Sequence, residues 1–201
     1  RTCMMAGVGL TGVFLWYLVR FWVYGKAVVL TSAPLTIPAG FLIAGMAVAT
    51  LIGAALASWA AGPISERIEE KNIPVARVVA GACLLYAAGL ALAWGLGVWS
   101  TGTARENGML LFALISGFAF GVYDSLGLEL VMDSLPDPRR AGHDLGIYAL
   151  ANSAGLALAA IIGALLVNAF EHSFGYYLLF PSAIVMVLLA GIVTLTTKSA
   201  E

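Results

Sequence analysis

Long apolar runs separated by short polar segments make up most of this chain. A window of about 20 apolar residues, the length of helix that crosses about 30 Å of hydrocarbon, fits six segments. Each must be helical, because a backbone exposed to lipid has to satisfy its own hydrogen bonds. The pattern predicts an all-α, polytopic membrane protein formed by one domain, residues 1–201. Its six transmembrane helices are expected at Met4 to Tyr24, Pro38 to Ala61, Val75 to Trp99, Gly108 to Met132, Leu145 to Phe170 and Tyr176 to Thr197.

Composition supports the membrane assignment. The chain is 61% hydrophobic and 10% charged, with a mean hydropathy of +0.97. An average soluble domain has roughly 45–50% apolar and 25% charged residues. A net charge of -1 provides no basic field for nucleic acid, so the expected surroundings are the lipid bilayer and no nucleic-acid partner. Cys3 and Cys83 lack the spacing of a zinc site or a disulfide framework, and no metal or cofactor is expected.

The basic residues in the connections indicate the orientation of the chain. If both termini are cytoplasmic, seven basic residues lie inside and two, Lys26 and Arg105, lie outside. The seven are Arg1, Arg67, Lys71, Arg77, Arg139, Arg140 and Lys198. The positive-inside rule therefore predicts cytoplasmic termini.

Small residues recur at helical spacing in four of the predicted spans. Such strips allow helix backbones to approach closely, and they predict tight packing. They also suit helices that slide during a conformational cycle, although static bundles contain them too. The strips are Gly45, Ala49, Gly53, Ala57 and Ala61; Gly81, Gly89, Ala93 and Gly97; Gly117, Gly121 and Ser125; and Gly155, Ala159 and Gly163.

A charged segment follows the second predicted span, on the cytoplasmic side. It reads Gly62-Pro63-Ile64-Ser65-Glu66-Arg67-Ile68-Glu69-Glu70-Lys71. It resembles the loop signature of the major facilitator superfamily, with Glu in place of the usual Asp. The resemblance implies a conformational latch made by Gly62, Ser65, Glu66, Arg67 and Lys71, in which the carboxylate faces a helix end of the other half of the transporter. The alternative is an ordinary charged turn.

A second resemblance runs from the fourth predicted span to the fifth. The segments Gly117-x-x-Phe120-Gly121-x-Tyr123, Leu135-Pro136-Asp137 and Gly142-His143-Asp144-Leu145-Gly146 are similar to those of a group of bacterial permeases in the same superfamily. The resemblance implies the C-terminal six-helix half of a twelve-helix transporter in a bacterial inner membrane. The partner is then the missing N-terminal half, and a small-molecule substrate crosses by alternating access. We also expect two inverted three-helix repeats, residues 1–99 and 107–198.

Asp124 is the strongest candidate for a functional residue. It precedes Leu135 by 11 residues, which places it roughly 16 Å up the helix, near the middle of the bilayer. A carboxyl group at that depth is costly unless it is protonated, paired or hydrated, so a functional role is the first hypothesis. An acid there is suited to binding and releasing a proton, the expected coupling ion. The alternative is a structural hydrogen bond to a nearby Ser or Tyr.

Three further residues complete the predicted pathway for substrate and proton. Tyr148 and Asn152 share a helical face with Gly155 and Ala159, so they form one polar stripe. Asn152 either binds substrate or joins two helices by a hydrogen bond. Glu129 is five residues from Asp124, about 140° around the helix, so the two acids do not form a pair.

Two other functional classes compete with transport. An intramembrane serine protease requires a Gly-x-Ser-Gly loop and a His deep in a later helix, and both histidines here lie in predicted connections. A metal-dependent enzyme requires clustered His or acidic residues. We therefore expect no enzymatic activity. A scaffold that does not transport is the remaining alternative.

Overall fold

The described residues of this computed structural model form helices joined by short turns, with no strand among them. They are residues 1–23, 37–99, 103–133, 141–170 and 172–197. Five of the helices are long and apolar enough to cross a membrane, which confirms the prediction of an all-α integral membrane protein. The helices are α1 (Thr2–Gly12), α2 (Leu15–Leu18), a π-helical turn (Val19–Val23), α3 (Ile37–Glu70), α4 (Val75–Trp99), α5 (Thr103–Asp133), α6 (Ala141–Ala169) and α7 (His172–Thr197).

The first predicted span is not one regular helix. The backbone leaves helical geometry at Phe14 (φ -98°, ψ 9°), between α1 and α2, and widens into the π-helical turn from Val19. The ring of Phe14 lies on Gly163 of α6, where any larger residue would overlap it. This contact accompanies a bend that apolar periodicity does not reveal. Tyr24, the predicted end of the span, lies outside the described residues.

The charged segment after the second span is helical, so the prediction of a loop there is wrong. Helix α3 continues through Gly62 and Pro63 and ends at Glu70. Pro63 removes one backbone hydrogen bond from the helix. Most of the residues that follow it have a good helix propensity, and the helix continues past the proline. Hydropathy detects only where a span becomes polar, and a polar turn can remain helical. The same reason explains why α5, α6 and α7 each begin about one turn before the predicted start.

The C-terminal end of α3 is closed by Asn72. This residue has a positive φ of 48°, the left-handed conformation that Gly and Asn adopt most readily. The Ile73 amide donates to the Ile68 carbonyl at 3.0 Å, and the Asn72 amide donates to the Glu69 carbonyl at 3.1 Å. These two hydrogen bonds form a Schellman cap. Pro74 follows and begins the turn into α4.

The long helices form two groups of three. Helices α3, α4 and α5 pack together, as do α1, α6 and α7, and α4 packs against α7 to join the groups. Apolar side chains fill the interior, and the largest that are fully buried include Phe180, Met4 and Leu10. The α4–α7 contact brings Gly191 against Cys83. Both cysteines are free thiols.

The α1–α6 crossing and the α3–α5 crossing match residue for residue. A Cβ added to Gly9 would lie 2.6 Å from Cβ of Ala159, and one added to Gly121 would lie 2.6 Å from Cβ of Ala57. In these two contacts Gly9 of α1 corresponds to Gly121 of α5, which lies 112 residues later in the chain. Ala57 of α3 corresponds to Ala159 of α6, which lies 102 residues later.

The same offsets relate a second pair of contacts. Gly155 of α6 lies on the backbone of Thr2 and Ala6, and Gly53 of α3 lies on the backbone of Leu114 and Phe118. At each crossing, a later residue of one helix contacts a later residue of the other helix. The two helices of each pair therefore run parallel. The two small-residue strips therefore build equivalent interfaces.

Candidate substrate-binding site

Arg1 and Asp124 form an ion pair between the two groups of helices. Nη2 of Arg1 lies 2.6 Å from Oδ1 of Asp124. Asp124 belongs to α5, and Arg1 directly precedes α1. Nine residues separate Asp124 from the end of α5 at Asp133, a distance of about 13 Å along the helix. Asp124 lies within the candidate membrane span Thr103–Leu128, near its last turn.

Two side chains of α6 also bind the guanidinium. Nε of Arg1 donates a hydrogen bond of 2.5 Å to Oδ1 of Asn152, and Nη1 donates to the Tyr148 hydroxyl. The guanidinium carbon lies 4.0 Å from the centre of the Tyr148 ring and 6.0 Å from that of Tyr123, both within the range of cation–π attraction. One cation thus connects α1, α5 and α6.

The close α1–α6 crossing positions these groups. Gly155 lies on the backbone of Thr2, so Arg1 begins beside the stretch of α6 that precedes Gly155. Tyr148 and Asn152 lie seven and three residues before Gly155, about two turns and one turn away on the same face. The predicted polar stripe of α6 therefore faces the start of α1.

The two charges differ in exposure. The side chain of Arg1 is 13% exposed, whereas that of Asp124 is 49% exposed. The cation is therefore held inside the site, and the acid borders the open side. Coulombic attraction is stronger away from bulk water, and separating such a pair leaves a charge without compensation.

The structure brings three of the four predicted pathway residues together. Asp124, Tyr148 and Asn152 all bind Arg1. Asp124 has an ion pair instead of the structural hydrogen bond to a Ser or Tyr that the sequence left open. Glu129 belongs to α5, and its side chain lies outside the described residues.

Arg1 is the site residue that sequence reasoning missed. It was counted with the basic residues of the cytoplasmic connections, but its guanidinium lies among the helices. The backbone of Thr2 lies beside Gly155, which is 14 residues, about 21 Å, past the start of α6. The available signal was electrostatic: an acid within one apolar run requires a partner, and Arg1 adjoins another such run.

The predicted latch residues are at the end of α3, far along the chain from this site. Gly62, Glu66, Arg67 and Lys71 are exposed, and Ser65 is half-buried. Neither Glu66 nor Arg67 has an ion pair given among the described residues. The described residues also contain no cluster of His, Cys, Asp or Glu that fits a metal ion.

No protein-family model, curated protein or solved structure matches this chain.

Proposed function

We propose that this chain is one half of a secondary transporter of the major facilitator type, which moves a small solute across a bacterial inner membrane by alternating access. The observation that carries the proposal is the ion pair of Arg1 and Asp124 inside an apolar bundle, completed by Tyr148 and Asn152. Charged residues within membrane spans are costly, and they commonly mark the route of a substrate or an ion.

The matched crossings support inverted three-helix repeats. In the proposed topology, α1 with its continuation to Val23 is the first of six spans, so α1 and α6 cross in one direction and α3 and α5 in the other. The equivalence of the two crossings is the relation expected of repeats with inverted topology. Helix α4 then corresponds to α7, and their mutual contact lies where the repeats meet.

The exposure of α3 and α6 supports a partner half. Within the candidate spans, 22% of the apolar window of α3 and 17% of that of α6 is buried, compared with 50% in α4 and in α5 and 33% in α7. The two least buried helices are equivalent members of the proposed repeats. We place the N-terminal half of the transporter against this side, with both termini of the chain in the cytoplasm.

The conformational latch remains part of this proposal. Its residues lie in the last turns of α3 and directly after it, and not in the loop that the sequence predicted. Gly62, Ser65, Glu66, Arg67 and Lys71 lie at its cytoplasmic end in the proposed orientation, where a helix end of the other half would meet the Glu66 carboxylate in one conformation. Asp124 is the proposed proton carrier, because its carboxyl group is half-exposed and is paired with the Arg1 cation.

The test is transport by the full-length protein in sealed vesicles with an imposed proton gradient. A panel of small organic solutes is screened for accumulation or extrusion, and the Asp124→Asn variant is compared after its membrane insertion has been verified. We expect gradient-driven transport that Asp124→Asn abolishes. Glu106→Gln, an acid near the start of the same helix, is the matched control and should transport normally.

Two results would contradict the proposal. Transport that is unchanged in Asp124→Asn at every pH would remove the proton role. Full-length protein that inserts and moves none of the solutes above the level of empty vesicles would favour a scaffold, and turnover of a chemical bond would favour an intramembrane enzyme.

A further inference from the structure

Arg20 is a second cation of the first span, at the opposite end from Arg1. It belongs to the π-helical turn Val19–Val23 and is half-buried. Within the part of the chain that the structure describes, its guanidinium has no ion pair and no hydrogen bond. Residues 1–65 contain no Asp or Glu, so neither its own helix nor the segment that follows can supply an acid. The five N–H donors of this cation therefore require acceptors from another source.

Helix contacts place Arg20 at a boundary of the membrane spans. The ring of Phe14 lies on Gly163, six residues before α6 ends at Ala169. Because α1 and α6 run parallel, Arg20, six residues after Phe14, lies at about the level of that end. The candidate span Leu145–Ala169 ends there as well. A long cationic side chain at this depth reaches the lipid headgroups.

Aromatic side chains lie at the same depth as Arg20. Tyr17, about one turn before Arg20, stacks on Tyr176 of α7, with ring centres 6.0 Å apart and an angle of 15° between the planes. Tyr176 is the second residue of the candidate span Gly175–Thr196. The side chains of Tyr17 and of the adjacent Trp16 are exposed. Such rings concentrate at the membrane–water boundary, where the apolar body packs on acyl chains and the polar atom reaches water.

We propose that Arg20, Trp16 and Tyr17 bind an anionic phospholipid, with the guanidinium on its phosphate group and the exposed rings against its acyl chains. A guanidinium offers two parallel N–H donors that match two phosphate oxygens. The rings provide apolar contact that a lipid can use and a free anion cannot. The site requires only that the chain spans a membrane, so it is separate from the proposed transport function.

The position of the turn gives this lipid a place at the junction of the two helix groups. The π-helical turn that carries Arg20 packs against α3 of one group and α7 of the other. Such turns are rare, and they occur frequently at functional positions. A lipid bound to Arg20 would therefore contact the region where the groups meet.

Two acids could compete with the lipid for Arg20. Glu106 and Glu171 are the acidic residues that the proposed topology places on the same side of the membrane. Glu106 belongs to the first turn of α5, whereas the π-helical turn packs mainly against α3 and α7. Glu171 lies outside the described residues, so the experiment includes a variant of it.

Quenching of tryptophan fluorescence by brominated lipids measures which lipid contacts a chosen position. The full-length protein keeps Trp16 as its one tryptophan, with every other changed to Phe, and is reconstituted with increasing fractions of brominated phosphatidylglycerol or brominated phosphatidylcholine. We expect phosphatidylglycerol to bind beside Trp16 about fivefold more tightly, the ratio for one basic residue at an anionic headgroup. Trp99, exposed at the end of α4 on the same side in the proposed topology, is the matched control and should show no preference.

Two variants test the role of Arg20 itself. Arg20→Gln should remove the preference at Trp16. Arg20→Lys keeps the charge without the planar fork, so it should fold where the Gln variant does not, and it should weaken the preference. Equal quenching by the two lipids in the protein with Arg20 intact would overturn the proposal, as would an unchanged preference in either variant.

Two further arms separate the lipid from its competitors. Excess inorganic phosphate should leave the preference unchanged, because it lacks acyl chains that pack on the rings. Loss of the preference in phosphate would assign a site for free anions and overturn the lipid proposal. Glu171→Gln should also leave the preference unchanged, and a stronger preference in that variant would assign Glu171 as the partner of Arg20, again overturning it.

Discussion

A charge in a membrane bundle is tolerated when its partners are fixed in advance, and Arg1 meets this condition. Its guanidinium contacts Asp124, Asn152 and Tyr148 at the junction of three helices. Asp124 is the more exposed member of the pair. Such an arrangement fixes the cation among the helices and leaves the acid half-exposed.

We predict that Arg1 and Asp124 are energetically coupled. Arg1→Gln leaves a carboxylate without its cation, and Asp124→Asn leaves a cation without its carboxylate. The double change removes both charges, so it should destabilise the protein less than the sum of the single changes, with a coupling of about 0.5–3 kcal/mol. Thermal unfolding of the four proteins in detergent measures this coupling, and additive losses would show that the ion pair contributes nothing to stability.

At the scale of single residues, sequence reasoning reached Asp124, Tyr148 and Asn152 for stated physical reasons. Depth within an apolar run identified the acid, and helical periodicity aligned the two α6 residues. Arg1 was missed because the positive-inside rule treats a basic residue beside a span as part of a connection. Which charge lies beside which acid depends on helix packing, which the periodicity of one helix does not contain.

Parallel crossings with glycine at the closest approach organise the helices. Gly53 lies on the backbone of α5, and Gly155 lies on the backbone of α1. A methyl group at either position has no space unless the helices separate. The small-residue strips of the sequence predicted this close packing, but the pairing of α3 with α5 and of α1 with α6 emerges only from the fold.

Gly53→Ala and Gly155→Ala should destabilise the protein to a similar extent. We expect losses of about 1–3 kcal/mol each, because overpacking forces the backbones apart. Gly62→Ala and Gly146→Ala are the matched controls in the same two helices, since an added methyl group meets nothing within 4 Å at either position. Thermal unfolding provides the measurement. Equal behaviour of the tight and open positions would contradict the described crossings.

The end of α3 yields a separate prediction. Asn72 has a φ of 48°, which a β-branched residue adopts only with strain, so Asn72→Val should cost about 1–3 kcal/mol. Asn72→Gly should preserve stability, because glycine adopts this conformation freely. Unfolding measurements compare the two variants, and a Val variant as stable as the Gly variant would exclude the Schellman cap.

At the scale of the whole molecule, apolar run length predicted the class of protein and the positions of five long helices. Run length did not predict the break in the first span at Phe14, beside α6. It also did not predict that the polar segment from Gly62 to Glu70 remains helical. Both failures share a cause. Hydropathy describes transfer into lipid, whereas helix continuity also depends on propensity, capping and tertiary contacts.

The most direct test of the transport account is the accessibility of the site from the two sides of the membrane. Ser125 is exposed and follows Asp124 on α5, and Cys3 and Cys83 can be replaced to give a single-cysteine Ser125→Cys protein. In sealed vesicles of full-length protein with uniform orientation, we predict that a membrane-impermeant thiol reagent labels this cysteine from either side. Leu51→Cys on α3, an exposed apolar position, is the control and should resist labelling. Labelling of Ser125→Cys from one side only, or from neither, would contradict alternating access.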